Sequence, residues 1–251
     1  MSQMRKDVHM TGKDLMEMVQ LRAEDVGRYA IVPGPKDRME AVVKKLEQPV
    51  KNFSFMEYTM YTGFFDGIKV TTINGGRFSA DTAITTEILC NAQVGYLLRI
   101  GSCGALREDI QVGDLVVVST ALRGEGVTQY YVEKDFVPTA DKSLTDEFIK
   151  AAEDASCKVH VGSCWTTDAI LKETREFVGR AVDDGAIAVD MVTAAFLTIA
   201  QTYNIPAAVM LAVSDNVITG EMGFMNPNYY MAETAMINIA FNVIKGLNQS
   251  N

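Results

Sequence analysis

The chain has 251 residues, 48% of them hydrophobic and 22% charged, enough to bury a sizeable core as one large domain or two small ones. Its net charge of −9, with no long run of lysine or arginine, argues against a nucleic-acid-binding surface but leaves room for a local cationic pocket. No apolar run resembles a membrane span or signal region, and the four cysteines and two histidines lack metal-ligand spacing, so a reduced, cytoplasmic protein without a bound metal is expected.

Taken in order, β-rich apolar runs alternate with helix-period segments, the pattern of an α/β domain. Tyr29-Ala30-Ile31-Val32 reads as a strand stopped by Pro33-Gly34-Pro35, and 37–46 follows as a helix with Met39, Val42, Val43 and Leu46 on one face. Two strands, 58–65 and 68–73, flank the hairpin signal Asp66-Gly67. A helix over 81–93, a strand from Tyr96 and a Val-rich strand over 114–119 come next. Residues 121–140 show no period and read as a binding loop. The remaining pattern predicts a helix over 143–153 capped by Ser143, strands at 159–161, 186–191 and 206–213, and helices at 173–182, 193–203 and 229–247. No repeat or linker interrupts this order, so one domain over residues 1–251 is expected.

One stretch carries more chemistry than the rest. Tyr96-Leu97-Leu98-Arg99-Ile100-Gly101-Ser102-Cys103-Gly104-Ala105-Leu106 places a single arginine in an apolar strand, where its charge is costly unless an anion or dense hydrogen bonding meets it. Gly101 and Gly104 allow close backbone approach, and the Ser102 hydroxyl can donate to an oxyanion. The pattern suits an anion pocket at the carboxyl end of a sheet strand, and equally an arginine capping a strand beside an ordinary turn.

Several motifs together, colinear from about His9 to the last helix, resemble the nucleoside phosphorylase family, which includes uridine phosphorylases and hexameric purine nucleoside phosphorylases. Arg99-Ile100-Gly101-Ser102-Cys103-Gly104-Ala105 is the most specific piece. Pro33-Gly34-Pro35-Lys36-Asp37-Arg38 looks like the first phosphate loop, and Arg123-Gly124-Glu125-Gly126-Val127 is similar to the uridine branch. Val189-Asp190-Met191 resembles the ribose strand, and Val213-Ser214-Asp215-Asn216 the base-proximal turn of purine enzymes. The resemblance implies a single α/β domain whose mixed, partly barrel-like central sheet is flanked by helices, assembled as a homo-oligomer, a dimer or a hexamer built from dimers.

It also implies phosphate-dependent cleavage of a nucleoside to free base and pentose 1-phosphate, with inorganic phosphate as co-substrate and no cofactor. Gly34, Arg38, Arg99 and Ser102 would hold the phosphate, the two guanidiniums through paired donors. Asp215 would act with Arg99 in catalysis, giving a proton to the departing purine; the same residue could merely form an Asx turn. Trp165, Asp190, Met191 and Val192 would line the nucleoside, and His9 would reach the ribose of a neighbouring subunit. Trp165 as a core indole, Arg38 as a solvated helix residue and His9 as an exposed terminal residue are the plainer alternatives, and His160 reads as structural.

Four places depart from the family pattern, the first being Pro35, which stands where an aspartate is usual. Val192 stands where a glutamate usually accepts from the ribose hydroxyls, Met56 replaces an arginine lent by a neighbour, and Asn74-Gly75-Gly76-Arg77-Phe78-Ser79-Ala80 lacks the usual Pro-Ser. No Gln-x-Arg uracil clamp follows Asp168. Purine and pyrimidine substrates therefore both stay open, with a water-using nucleosidase and a weakly active nucleoside-binding paralogue as alternatives.

Overall fold

The computed structural model describes residues 8–249. The chain opens with α1 (Gly12–Met18), then β1 (Tyr29–Pro33), α2 (Lys36–Val43), β2 (Glu47–Phe55), β3 (Tyr58–Phe65) and β4 (Ile68–Ile73). After α3 (Ser79–Asn91) come β5 (Tyr96–Ala105), β6 (Leu115–Gly124), α4 (Lys142–Asp154) and β7 (Val159–Thr167). The remainder is α5 (Arg175–Asp183), β8 (Ala186–Asp190), α6 (Thr193–Thr202), β9 (Ala207–Asn216), the short β10 (Glu221–Met222) and α7 (Pro227–Gln249).

The ten strands form one mixed sheet in the order β10-β9-β6-β7-β8-β5-β1-β4-β3-β2. A further parallel pairing of β9 with β5 joins β5, β9, β6, β7 and β8 into a closed ring, so the centre is a five-stranded barrel with an open wing of four strands. Every residue of β1 and β8 is buried, as expected of strands covered on both faces. At the β3–β4 hairpin, Asp66 (φ +48°) and Gly67 (φ +76°) both take left-handed backbone, the primed turn whose twist matches paired strands.

Two large apolar clusters cover the sheet. In one, Phe196, Leu197 and Ile199 of α6 and Ile88 and Leu89 of α3 pack on the barrel side; in the other, Met236, Ile239, Val243 and Ile244 of α7 pack with Phe148 of α4. Each such side chain contributes about 1.5–3 kcal/mol on burial. α6 is buried along almost its whole length, which suits its continuous run of apolar and small residues. Among the described residues, no helix is long and apolar enough to cross a membrane.

Several local expectations change. α4 starts at Lys142 and is capped by the Asp141 carboxylate, which accepts from Leu144 N–H at 2.9 Å; Ser143 lies inside the first turn. The carboxylate competes better there because it is an ionised acceptor next to orphan helix N–H groups. Residues 121–140 are not uniformly irregular: β6 continues to Gly124 beside β7, and Thr128–Tyr130 forms a 3-10 turn. Likewise β7 runs on from Val161 to Thr167, because closing the barrel gives its small and polar residues strand partners on both sides. α1 and β2 had no sequence signal, the first being two turns long and the second mostly exposed.

Candidate active site

The carboxyl ends of β1 and β5 meet beside the loop after β4. Arg99, in the middle of β5, is 3% exposed, and its Nη2 donates to the Gly76 carbonyl at 3.1 Å. Among the described residues, its Nε and Nη1 are buried without a hydrogen-bond partner. Burial depresses its proton affinity below the ordinary arginine value, to about 10; Asp190 opposes that shift and the positive charge of Arg38 adds to it. The group therefore stays cationic at neutral pH, with two donors available to an anion.

Glycines make the space. A Cβ on Gly34 would sit 3.8 Å from Arg38 Nη1 and 3.9 Å from Arg99 Nη2, so this backbone closes over both guanidiniums. Gly76, at φ +142°, would put a Cβ 2.9 Å from Arg99 Nη1 and also adopts a conformation that other residues rarely take. Pro35 stands just before α2, and Arg38 lies in that helix's first turn, turned inward. Its Nε donates to Glu233 Oε1 at 3.0 Å, its Nη2 also reaches that oxygen, and its Nη1 and Nη2 lie 3.4 Å from the Ile100 carbonyl and the Tyr229 hydroxyl. Arg38 is thus held in place by α7.

These residues open into a cavity of about 770 Å³, within the usual range for small-molecule sites. Gly34, Arg38, Arg99 and Ser102 line it, together with Asp190, Met191 and Val192. Asp215, Val217, Glu173, Leu171, Met222 and Phe224 belong to the same lining. Arg99 pairs in register with Val209, and Gly104 with Asp215. The five residues from Arg99 to Gly104 separate these ends by roughly 16 Å of strand.

β9 carries a bulge at this point: Cys103 pairs with Val213, but Gly104 pairs with Asp215, so Ser214 is skipped. The skipped Ser214 hydroxyl lies 3.1 Å from the Cys103 carbonyl and 2.7 Å from Asp215 Oδ1, its single proton serving either. Among the described residues Asp215 Oδ2 has no hydrogen-bond partner. The neighbouring Asn216 amide is spent on the carbonyls of Arg107 and Ile110, at 2.8 and 2.9 Å.

The structure brings eight of the ten sequence-selected residues to this cavity but treats them differently. Asp190 directs its carboxylate into its own chain, accepting from Thr166 and Thr193 hydroxyls and from the N–H groups of Val192 and Thr193. It organises the turn into α6. Val192 is 1% exposed while contributing to the cavity wall. Trp165 is not among the lining residues; it packs with Leu122 and Val217 against the small cluster of Leu106, Val178 and Val189. His9 is exposed before α1 and also lies outside the cavity lining. His160 meets Asp114 at 2.8 Å, beside a Lys158–Asp114 ion pair.

Sequence reasoning missed Glu233, Tyr229 and Glu173. The first two lie in α7, nearly 200 residues from Arg38, with only the helical stripe around them to read. Glu173 ends the 3-10 turn Ile170–Lys172, in a stretch that looked like an ordinary helix start.

A profile of the Phosphorylase superfamily matches residues 28–244. The chain belongs to that superfamily. Among similar proteins, a guanosine phosphorylase of Halorubrum lacusprofundi is 28% identical, covering 86% of this chain and 89% of its own length. A uridine phosphorylase of Thermococcus kodakarensis is 30% identical, covering 79% of this chain and 76% of its own. A DeoD-type purine nucleoside phosphorylase of Bacillus cereus is 27% identical, with 81% and 88% covered. The fold is shared with the crystal structure of Vibrio fischeri uridine phosphorylase (TM-score 0.83, 22% identity, 91% and 95% covered). It is shared equally with Toxoplasma gondii purine nucleoside phosphorylase (TM-score 0.85, 21% identity, both chains covered in full).

Proposed function

We propose that this member of the superfamily cleaves purine nucleosides, with Asp215 supplying the proton that the departing base needs. That it is a nucleoside phosphorylase, and so a pentosyltransferase, follows from its family and its relatives. The base class is the proposal. The observation that carries it is the Asp215 carboxyl, with Oδ2 uncommitted, in the part of the cavity reached along β5 from the arginines. A purine leaves most easily when its N7 is protonated, a task for a carboxylic acid. A uracil leaving as an anion calls for amide or guanidinium donors at its carbonyl oxygens, and the amide beside Asp215 is already spent.

Phosphate bound between Arg38, Arg99, Ser102 and the Gly34 backbone supplies the nucleophile, and Arg99's buried donors hold it in line beneath the sugar. Attack at C1′ breaks the glycosidic bond as negative charge moves into the base, where Val217, Phe224 and Leu171 give the ring apolar contacts. Soluble enzyme with no lipid partner, cytoplasmic location, and assembly into a homo-oligomer that supplies His9 from a neighbour complete this reading.

The test is a nucleoside panel assayed with and without phosphate, following free base. Purine release that requires phosphate is expected. Faster uridine than purine cleavage refutes the base assignment, and release independent of phosphate marks hydrolysis instead.

A further inference from the structure

The cavity holds a second carboxyl whose presence the reaction described above does not use. Glu173 is half-buried and lines the same cavity as Asp215. Among the described residues it makes no hydrogen bond and no ion pair. Two carboxylates lining one partly dry cavity, with neither bonded to a cation, are an unfavourable arrangement while both are ionised. Proteins that keep such a pair relieve it by holding one proton on it.

We propose that Glu173 is the proton-holding partner of Asp215, so that the pair, rather than Asp215 alone, delivers the proton to the departing base, a role that rests on the purine reading above.

The surroundings support this. Burial, and after it the charge of Asp215, pushes the Glu173 carboxyl up to about 7. The other ionisable groups of the cavity are committed elsewhere. Arg38 is paired with Glu233 and Asp190 is bonded within its turn, while Arg99, whose free donors face the anion pocket, lies five residues of strand from Gly104, the residue opposite Asp215. Arg77 is exposed at the rim, and Lys172 and Arg175 flank Glu173 on the exposed surface. Glu176, the first acid of α5, is paired with Arg180. No cation therefore takes over the role of a proton on the Glu173–Asp215 pair.

The step balances without another reactant. A phosphate oxygen bonds to C1′ as the C1′–N9 bond breaks, and the bonding electron pair moves into the purine. N7 takes the proton from the pair, which is left as two carboxylates. The proton of the incoming monohydrogen phosphate passes to solvent and restores the pair, giving neutral purine and pentose 1-phosphate.

The experiment compares the native enzyme with Glu173→Gln and Glu173→Ala on inosine across pH 5.5–9. The native kcat/KM should fall as pH rises through about 7, because the pair must be protonated to act. Both variants should lose at least about tenfold in kcat at neutral pH and lose the limb near 7, since the proton held on Glu173 is gone. Their KM for phosphate should stay within about twofold, and their loss on 7-methylguanosine, whose N7 is already alkylated and needs no proton, within about threefold. An unchanged pH profile in a folded variant overturns the proposal, as does an equal loss on 7-methylguanosine.

A second measurement works without turnover. With 13C-carboxyl glutamate, the Glu173 resonance, assigned by its loss in Glu173→Gln, should titrate near 7 and move down in Asp215→Asn. An unmoved midpoint overturns the shared proton even in an enzyme that cleaves purines. Absence of any purine turnover overturns the purine reading and this role with it, whatever the titration shows.

Discussion

Replacing Arg99 by methionine should separate what the residue does for the reaction from what it costs the fold. The guanidinium is buried with Nε and Nη1 unpartnered, and those two donors are the ones phosphate would use. A charge-assisted hydrogen bond is worth about 1.5–3 kcal/mol, so losing two removes roughly 3–6 kcal/mol, or about 10²–10⁴ in kcat/KM for phosphate. Without ligand the sign reverses. Titration at about 10, below the ordinary arginine range, means that the folded chain disfavours the charged form. At about 1.4 kcal/mol per tenfold change in proton affinity, the penalty is roughly 3 kcal/mol. It is present in full wherever the buried group is charged, below about pH 10, and fades as pH rises beyond that. Methionine fills much of the same space without charge. The variant should therefore melt higher than the native chain in phosphate-free buffer at pH 7.5, by roughly 2–4 °C per kcal/mol recovered. Adding phosphate should raise the melting temperature of the native protein but not of the variant. Differential scanning calorimetry with a phosphorolysis assay covers all three expectations. A variant that melts lower than native, yet is still stabilised by phosphate, refutes the account of an uncompensated cation waiting for an anion.

Val192→Glu should shift the ratio of kcat/KM for a nucleoside over its 2′-deoxy analogue toward the ribonucleoside, at an overpacking cost of about 1–3 kcal/mol; an unchanged ratio in a folded variant shows that this buried side chain does not meet the sugar. Sedimentation should find at least a dimer, since His9 lies outside the cavity of its own chain, and an active monomer excludes a borrowed His9. Asp141→Ala should cost about 1 kcal/mol through loss of the α4 cap, whereas Ser143→Ala should be nearly neutral, and equal effects in urea titrations contradict the capping assignment.

Long periodic segments were legible because their burial is decided locally: α7, β1 and β5 each show in the chain the side that packs in space. β2 was not legible, since Glu47–Phe55 is an edge strand with most of its residues exposed and a proline within it. The extensions of β6 and β7 were hidden for a different reason. Gly162 and Ser163 have little strand preference of their own, and only closure of the ring supplies their partners. At the site, Arg99 and Ser102 stand in a motif whose lone charge and glycines point to an anion, whereas Gly34, Arg38 and Asp215 enter through the family resemblance. Glu233 left none, because its meaning depends on a helix folding back over Arg38. Trp165, which the family resemblance would set against the base and its indole alone would set in a core, packs against the small cluster that includes Val178 of α5.

β5 belongs to both halves of the sheet, pairing with β1 in the wing and with β8 and β9 in the barrel. It carries Arg99 near its middle and Gly104, opposite Asp215, near its end. One strand thus acts as a ruler between the proposed anion pocket and the proposed acid, with neighbours on both sides fixing its graduations. Adding or deleting a single residue between those marks would change the span by about 3.3 Å and turn every following side chain to the other face. The length of substrate that fits is consequently set by the least adjustable part of the molecule. Changes of base preference have to be made at the rim, where Ile170–Lys172 and Gly223–Met225 lie in short turns that can vary without moving the ruler.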